Sequence, residues 1–320
     1  MNIFLAGATG AIGRPLLARM QAAGHSVTAI TRSPDRVEPI RAYGARAVVC
    51  DVFDRDRVRQ AVIDAQPDVV MHQLTSIPHK LDARRVVQEF AMTNRLRTEG
   101  TQILMDAAQA AGARRFIAQS ITAYYTPNLP GLATEDQPLY TDAPAAFAEL
   151  VEAITTLERI VLHTPGVDGI VLRYGYFYGP GTTYAVDGNI ADNVRQRSMP
   201  IVGEGNGVFS FIHVDDAADA TMRALDQGEP GIYNIVDDDP APVSEWLPYY
   251  AQLLNAPKPM RVPRVVGQLA AGRFAVYFMD EQRGASNQKA RQELGWQPRY
   301  ASWHDGWQAE FAGQSEPHPA

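Results

Sequence analysis

Short apolar runs alternate through the first half of the chain with stretches in which apolar residues recur every three or four positions. Asn2–Ala6 has strand character. A helical period through Pro15, Leu16, Leu17 and Met20 stops at Gly24, before a second strand over Ser26–Thr31. Ala47–Cys50, Val69–His72 and Arg115–Ser120 continue the strands, with helices around Glu99–Ala111 and Ala145–Leu162. This alternation predicts an α/β fold, a Rossmann-type doubly wound parallel sheet with helices on both faces. From Tyr176 the pattern loosens into Gly179-Pro180-Gly181, a loop through Tyr184 and Asp187, and a helix near Ile190–Arg197. The expected division is a Rossmann domain over residues 1–175 plus about 211–236, and a small substrate-binding lobe over 176–210 and 237–312. A disordered tail is expected over 313–320.

The first strand runs straight into Gly7-Ala8-Thr9-Gly10-Ala11-Ile12-Gly13 and then a helix. Glycines there let the backbone approach a pyrophosphate, whose charge is favoured at the helix N-terminus. Gly7, Thr9, Gly10, Ala11, Ile12 and Gly13 are therefore the expected phosphate cradle. The second strand ends in Thr31-Arg32-Ser33, a cation between two hydroxyls with no carboxylate until Asp35. Arginine suits a phosphate dianion, so NADP(H) is expected over NAD(H), with all three residues on the 2′-phosphate. Ligands of such sheets lie at the carboxyl ends of strands, here Asp51 and Val52, Gln73-Leu74-Thr75, and Ser120-Ile121-Thr122.

Composition narrows the function. An apolar fraction of 46% and a charged fraction of 20% belong to an ordinary globular chain. The net charge of −7 argues against nucleic acid or a membrane surface as partner. No apolar run approaches a membrane span and Met1-Asn2-Ile3 enters a strand at once, so a cytoplasmic protein acting on a small molecule is expected. The single cysteine, Cys50, reads as a buried structural thiol, and no metal-ligand spacing occurs. Only Lys80, Lys258 and Lys289 are lysines among the 29 basic residues.

These residues resemble the extended short-chain dehydrogenase/reductase superfamily, the NAD(P)-dependent epimerase/dehydratase group. The motifs are the glycine turn, Gly100-Thr101 with Ala107-Ala108, Leu172-Arg173-Tyr174, Tyr178-Gly179-Pro180-Gly181, Phe211-Ile212-His213-Val214-Asp215-Asp216, and Glu293-Leu294-Gly295-Trp296. The resemblance implies that Asp51 serves the adenine side and that Tyr174 borders the cofactor. It also implies a homodimer through the helices Glu99–Ala111 and Ala145–Leu162.

The family's proton relay is a Ser/Thr after the fifth strand with a Tyr-x-x-x-Lys pair on the next helix. None of the 13 tyrosines here is followed by lysine four residues on. Leu150 and Ile154 occupy the pair's positions, and Ile121 the serine's. An NAD(P)H-dependent oxidoreductase with a non-standard proton donor is therefore expected: Tyr176 first, Tyr125 second, with the Thr122 and Ser120 hydroxyls assisting. A catalytically silent, NmrA-like dinucleotide sensor is one alternative, a sugar-nucleotide epimerase or dehydratase the other.

The stretch Gly205–Ser210 carries Phe209 where sugar-nucleotide members place a diphosphate-binding arginine, which favours a smaller, non-nucleotide substrate, unless Arg195, Arg197 or Arg261 compensates. His213 reads as structural, Asp237-Asp238-Asp239 as a solvated turn, and Trp303 with Trp307 as a packing face.

Overall fold

The computed structural model describes residues 1–78, 82–127 and 129–313. Lys80 and the tail after Gly313 lie outside them. Six strands, β1 (Asn2–Ala6), β2 (Ser26–Thr31), β3 (Arg46–Val49), β4 (Val69–His72), β5 (Arg115–Ile121) and β6 (Asp168–Tyr174), join a seventh, Gly231–Ile235, in one sheet. Its order is Gly231–Ile235, β6, β5, β4, β1, β2, β3, with every pairing parallel. Chain direction across the sheet reverses between β1 and β4, which opens a crevice above their carboxyl ends.

The local chemistry accounts for the elements. β4 is buried along its whole length, as a central parallel strand covered on both faces should be. Asp54 caps the helix Arg55–Ala65 by accepting from the Arg57 amide at 3.2 Å, and Gly112 ends the helix Thr101–Ala111 at φ 71°. One core packs Leu16, Leu17, Met20 and Ala217 against β1 and β6; the other packs Val58, Ile103, Leu104 and Leu157 against the opposite face. The helix Val86–Arg95 was not apparent from the sequence; it runs on through a π-helical turn, Leu96–Gly100, into Thr101–Ala111.

A smaller lobe covers the carboxyl end of the sheet. It is built on short strand pairs, Tyr176–Tyr178 with Phe211–His213 and Val208–Phe209 with Ala241–Pro242, and on helices that include Val243–Leu253 and Trp303–Gly313. Trp246, Trp303 and Trp307 are almost completely buried there, so the tryptophan pair packs as expected. The triple aspartate is a solvated turn only in part, with Asp238 and Asp239 reaching solvent. Asp237 is buried and accepts from the Asp239 amide, Asp238 receives Asn287 and Arg291, and Asp239 receives Ser302.

The helices expected at a dimer interface spend their apolar side chains inward, through Ile103, Leu104, Leu150, Val151, Ile154 and Leu157. Their outer sides carry Gln109, Glu152, Thr155 and Arg159. No described helix is long and apolar enough to cross a membrane.

Candidate functional site

The turn after β1 is shaped by two glycines and leaves the third free. Gly7 sits at φ 104°, and a Cβ on it would come within 2.6 Å of the Gln73 backbone; a Cβ on Gly13 would strike the Gly7 carbonyl oxygen. A Cβ on Gly10 would meet only that same oxygen, at an ordinary 3.5 Å, and Gly10 is exposed in the crevice wall. The fold itself therefore does not require glycine at position 10. The space left there fits the close approach of a dinucleotide phosphate. The helix starting at Gly13 has no side-chain cap, so its first amides face the turn.

Gly7, Thr9, Gly10, Thr31, Arg32, Asp51, Val52, Gln73, Leu74 and Thr75 line one continuous cleft. Gln73 donates to the Tyr174 hydroxyl at 3.3 Å, while its buried Oε1 has no partner among the described residues. Asp51 holds the Phe53 amide at 3.0 Å, and the Arg95 guanidinium lies 3.7 Å from the Phe53 ring centroid, which builds a flat wall for a base.

The sequence reading missed Ile30, Cys50, Phe53, Ser76, Met92 and Leu96, which also line the cleft. Met92 and Leu96 could not be found without the helix that carries them. Phe53, directly after Asp51-Val52, could have been. Cys50 is buried as expected, burial pushes its thiol pKa up, and it sits within the cleft wall.

Several expected contacts fall elsewhere. Ile12 points into the core, Gly13 packs on the turn, and Ala11 does not line the cleft. Ser33 also turns away and donates to Asp35 at 2.5 Å, whereas Thr31 stays in the wall. Tyr174 is buried with its hydroxyl on Thr221 at 2.7 Å, and the Ser120 hydroxyl is buried on Glu158 at 2.9 Å. Arg32 is exposed at the cleft edge and has no carboxylate partner among the described residues.

The four groups expected to move a proton are each turned to a different protein partner. Tyr125, almost completely buried, donates to Asn234 Oδ1 at 2.8 Å and accepts from Arg173 at 2.7 Å. Tyr176 donates to Gln282 Oε1 at 2.8 Å inside an aromatic cluster with Phe209 and Tyr184. Thr122 reaches the Tyr174 carbonyl at 3.4 Å, and Ser120 is held by Glu158. Burial raises the pKa of both tyrosines. Leu150 and Ile154 are fully buried among aromatic rings.

Of the lysines described, Lys289 donates to the Ile232 carbonyl at 2.9 Å, and neither it nor Lys258 lines the cleft. His213 is structural: Nδ1 accepts from the Asp215 amide and Nε2 meets Glu310 at 3.0 Å.

Residues 3–236 match the model of the NAD dependent epimerase/dehydratase family. A Streptomyces protein, "3-diazoavenalumate denitrifying reductase", is 45% identical over 307 residues, covering 96% of this chain and 99% of its own. A ketoreductase of Stigmatella aurantiaca acting on a farnesylated dihydroquinoline oxide is 26% identical, covering 93% and 92%. Among solved structures, UDP-glucose 4-epimerase of Thermotoga maritima superposes with a TM-score of 0.76 at 21% identity, covering 99% of this chain and 100% of that one. A human epimerase family protein solved with NADPH gives 0.76 at 21%, covering 98% and 99%.

Proposed function

The chain belongs to the NAD-dependent epimerase/dehydratase family, and from that premise we propose that it is an NADPH-dependent reductase of a small, non-nucleotide aromatic substrate that carries an arenediazonium group and loses it as N2. Its standing as an NAD(P)-dependent oxidoreductase rests on the family and on the reductase that is 45% identical. The single observation that carries the finer reading is the state of the proton relay. The paired positions are the buried apolar residues Leu150 and Ile154, and the phenol protons of Tyr125 and Tyr176 are both donated to protein acceptors.

Bound NADPH supplies a hydride. An arenediazonium carbon that accepts it forms one C–H bond, while the C–N bond breaks and its electron pair leaves in N2. That reaction needs no proton, so a site without a relay can sustain it. The chain's own part is to hold the nucleotide through the Gly7–Gly13 turn, Gln73 and the Asp51–Phe53 wall, and to keep water from the reacting centre with the aromatic lobe. Arg32, exposed and without a carboxylate partner among the described residues, supports NADPH over NADH. Phe209, buried in the aromatic cluster, supports a substrate without a diphosphate; Arg195 is engaged by Asp192 and Arg261 by the Glu204 carbonyl. A homodimer is retained as part of the proposal, with the polar faces around Gln109 and Glu152 as its interface.

Reduction of a carbonyl group is the second reading, favoured by the ketoreductase relative. It requires a proton donor other than the usual pair. The experiment is incubation with NADPH carrying deuterium at C4 and a carboxy-substituted arenediazonium ion, against an enzyme-free control. The expected result is one N2 released per NADPH consumed, with deuterium on the ring carbon. Turnover of ketones but not of the diazonium ion would transfer the assignment to the second reading. Turnover of neither would overturn both.

A further inference from the structure

Arg97 lies on the π-helical turn Leu96–Gly100, a widening of the helix of the kind often found at functional positions. The residue is 4% exposed, and its Nε and Nη1 have no hydrogen-bond partner among the described residues. Glu158 is the carboxylate in electrostatic contact with it, but both Glu158 oxygens are taken. Arg173 holds Oε1 at 2.8 Å and Oε2 at 2.6 Å, and Ser120 adds 2.9 Å to Oε1. Two buried guanidinium groups thus share one carboxylate, and the charge left over belongs to Arg97.

Arginine cannot escape this by losing its proton. The neighbouring Tyr124 does not neutralise it either, because burial raises the phenol's pKa in spite of Arg97 and keeps it protonated. Its hydroxyl makes no hydrogen bond with the described residues, while its ring is fixed against Tyr277, stacked at 6.3 Å, and Phe278, edge-on at 5.7 Å. A buried cation with unused N–H groups, a free phenol beside it and aromatic rings around them are the parts of a carboxylate site with an apolar flank. A cofactor phosphate is the wrong anion, since Leu96 lines the nucleotide cleft and Arg97 does not.

We propose that Arg97 and Tyr124 form the receiving site for a carboxylate on an aromatic substrate. This rests on the reductase reading above but names a different feature of the substrate. Nε and Nη1 are closed to water in the ligand-free chain, so the carboxylate reaches them by local side-chain movement and arrives stripped of water. An arene that displaces water from the Tyr124 side is favoured accordingly.

The test uses ligands without a diazo group, so that the reaction and the binding site fail separately. Cinnamate and its uncharged amide are titrated by calorimetry into the full chain saturated with NADP+, as wild type, Arg97→Lys, Arg97→Gln and Tyr124→Phe. Wild type should bind the acid about tenfold or more tightly over the amide. Arg97→Gln should abolish that preference, Arg97→Lys should keep part of it, and Tyr124→Phe should weaken acid binding several-fold. NADPH affinity should be unchanged in all three. Equal binding of acid and amide by wild type overturns the proposal, and this holds even if a variant does not fold. A preference surviving in Arg97→Gln, or a loss of NADPH affinity there, overturns it as well.

Discussion

The Arg173 guanidinium closes on the Glu158 carboxylate with two parallel hydrogen bonds, 2.8 Å from Nε to Oε1 and 2.6 Å from Nη2 to Oε2, and both side chains are more than nine-tenths buried. The pair ties β6 to the helix Ala148–His163, and Ser120 and Tyr125 attach β5 and its following turn to the same cluster. Two of the hydroxyls that sequence logic assigned to catalysis, those of Ser120 and Tyr125, are thus fastened into this cluster.

Removing one member should consequently cost stability before it costs chemistry. Glu158→Gln leaves Arg173 without its counter-charge and should destabilise the chain by about 3–5 kcal/mol. Tyr125→Phe strands the Asn234 oxygen and one Arg173 donor, for about 1–3 kcal/mol. Both are read from urea unfolding midpoints. With protein kept folded, Tyr125→Phe should hold kcat within a few-fold. A fall of about a hundredfold at unchanged stability would restore Tyr125 as a general acid.

The glycine turn separates ligand from fold in the same way. Gly10→Ala places a methyl group in ordinary van der Waals contact with the Gly7 carbonyl oxygen, so the melting temperature should barely move while NADPH and NADH binding both weaken at least tenfold, about 1.4 kcal/mol. Gly13→Ala drives its Cβ into the Gly7 carbonyl and should lower stability itself. Differential scanning calorimetry beside cofactor titration distinguishes them. A Gly10→Ala variant with wild-type cofactor affinity would remove the phosphate from this turn.

The sheet was legible because parallel βα units write a simple pattern: β2 and β4 fall where the apolar runs Ser26–Thr31 and Val69–His72 predict. The cleft was legible because its wall comes from residues just after strand ends, a rule of topology. Side-chain direction was not legible. Ser120, Tyr125 and Tyr174 sit at the right strand ends yet turn inward, because buried partners more than 30 residues away in sequence (Glu158, Asn234 and Thr221) complete their hydrogen bonds. The charge imbalance at Arg97 is likewise invisible without knowing that Glu158 is already occupied.

His72 makes the stability depend on pH in a defined direction. Nδ1 accepts from the Leu74 amide and Nε2 holds the Leu96 carbonyl, each at 3.2 Å, which satisfies the neutral ring. Burial pushes its pKa down from 6.5 to about 4. Above pH 6.5 the ring is neutral in both folded and unfolded chains and contributes nothing. As pH falls from 6.5 towards 4, only the unfolded chain takes up the proton, so stability drops, by about 2 kcal/mol on reaching pH 5. Urea midpoints of wild type and His72→Gln at pH 7 and 5 isolate this: the wild type should lose more than the variant. Parallel losses would show that the ring is not held neutral.

Arg32 is expected to decide between the two cofactors. Its guanidinium stands at the end of β2 on the cleft edge without an ion-pair partner among the described residues, where a 2′-phosphate would meet it with Thr31 in the adjacent wall. Ser33 is no longer expected to help, since Asp35 holds its hydroxyl, and Asp35 itself sets a negative charge near the phosphate. The net preference for NADPH should therefore lie nearer the lower end of the tenfold to hundredfold range that charged hydrogen bonds provide, roughly 1.5–3 kcal/mol. Because Arg32 is exposed, the preference should shrink in about 0.5 M salt, where screening acts within a few ångströms. Arg32→Ala should bring the two dissociation constants together by weakening NADPH alone, and Asp35→Asn should strengthen NADPH without altering NADH. Fluorescence titration of both cofactors against the three proteins measures all of this, and equal affinities in the wild type would refute the preference for NADPH.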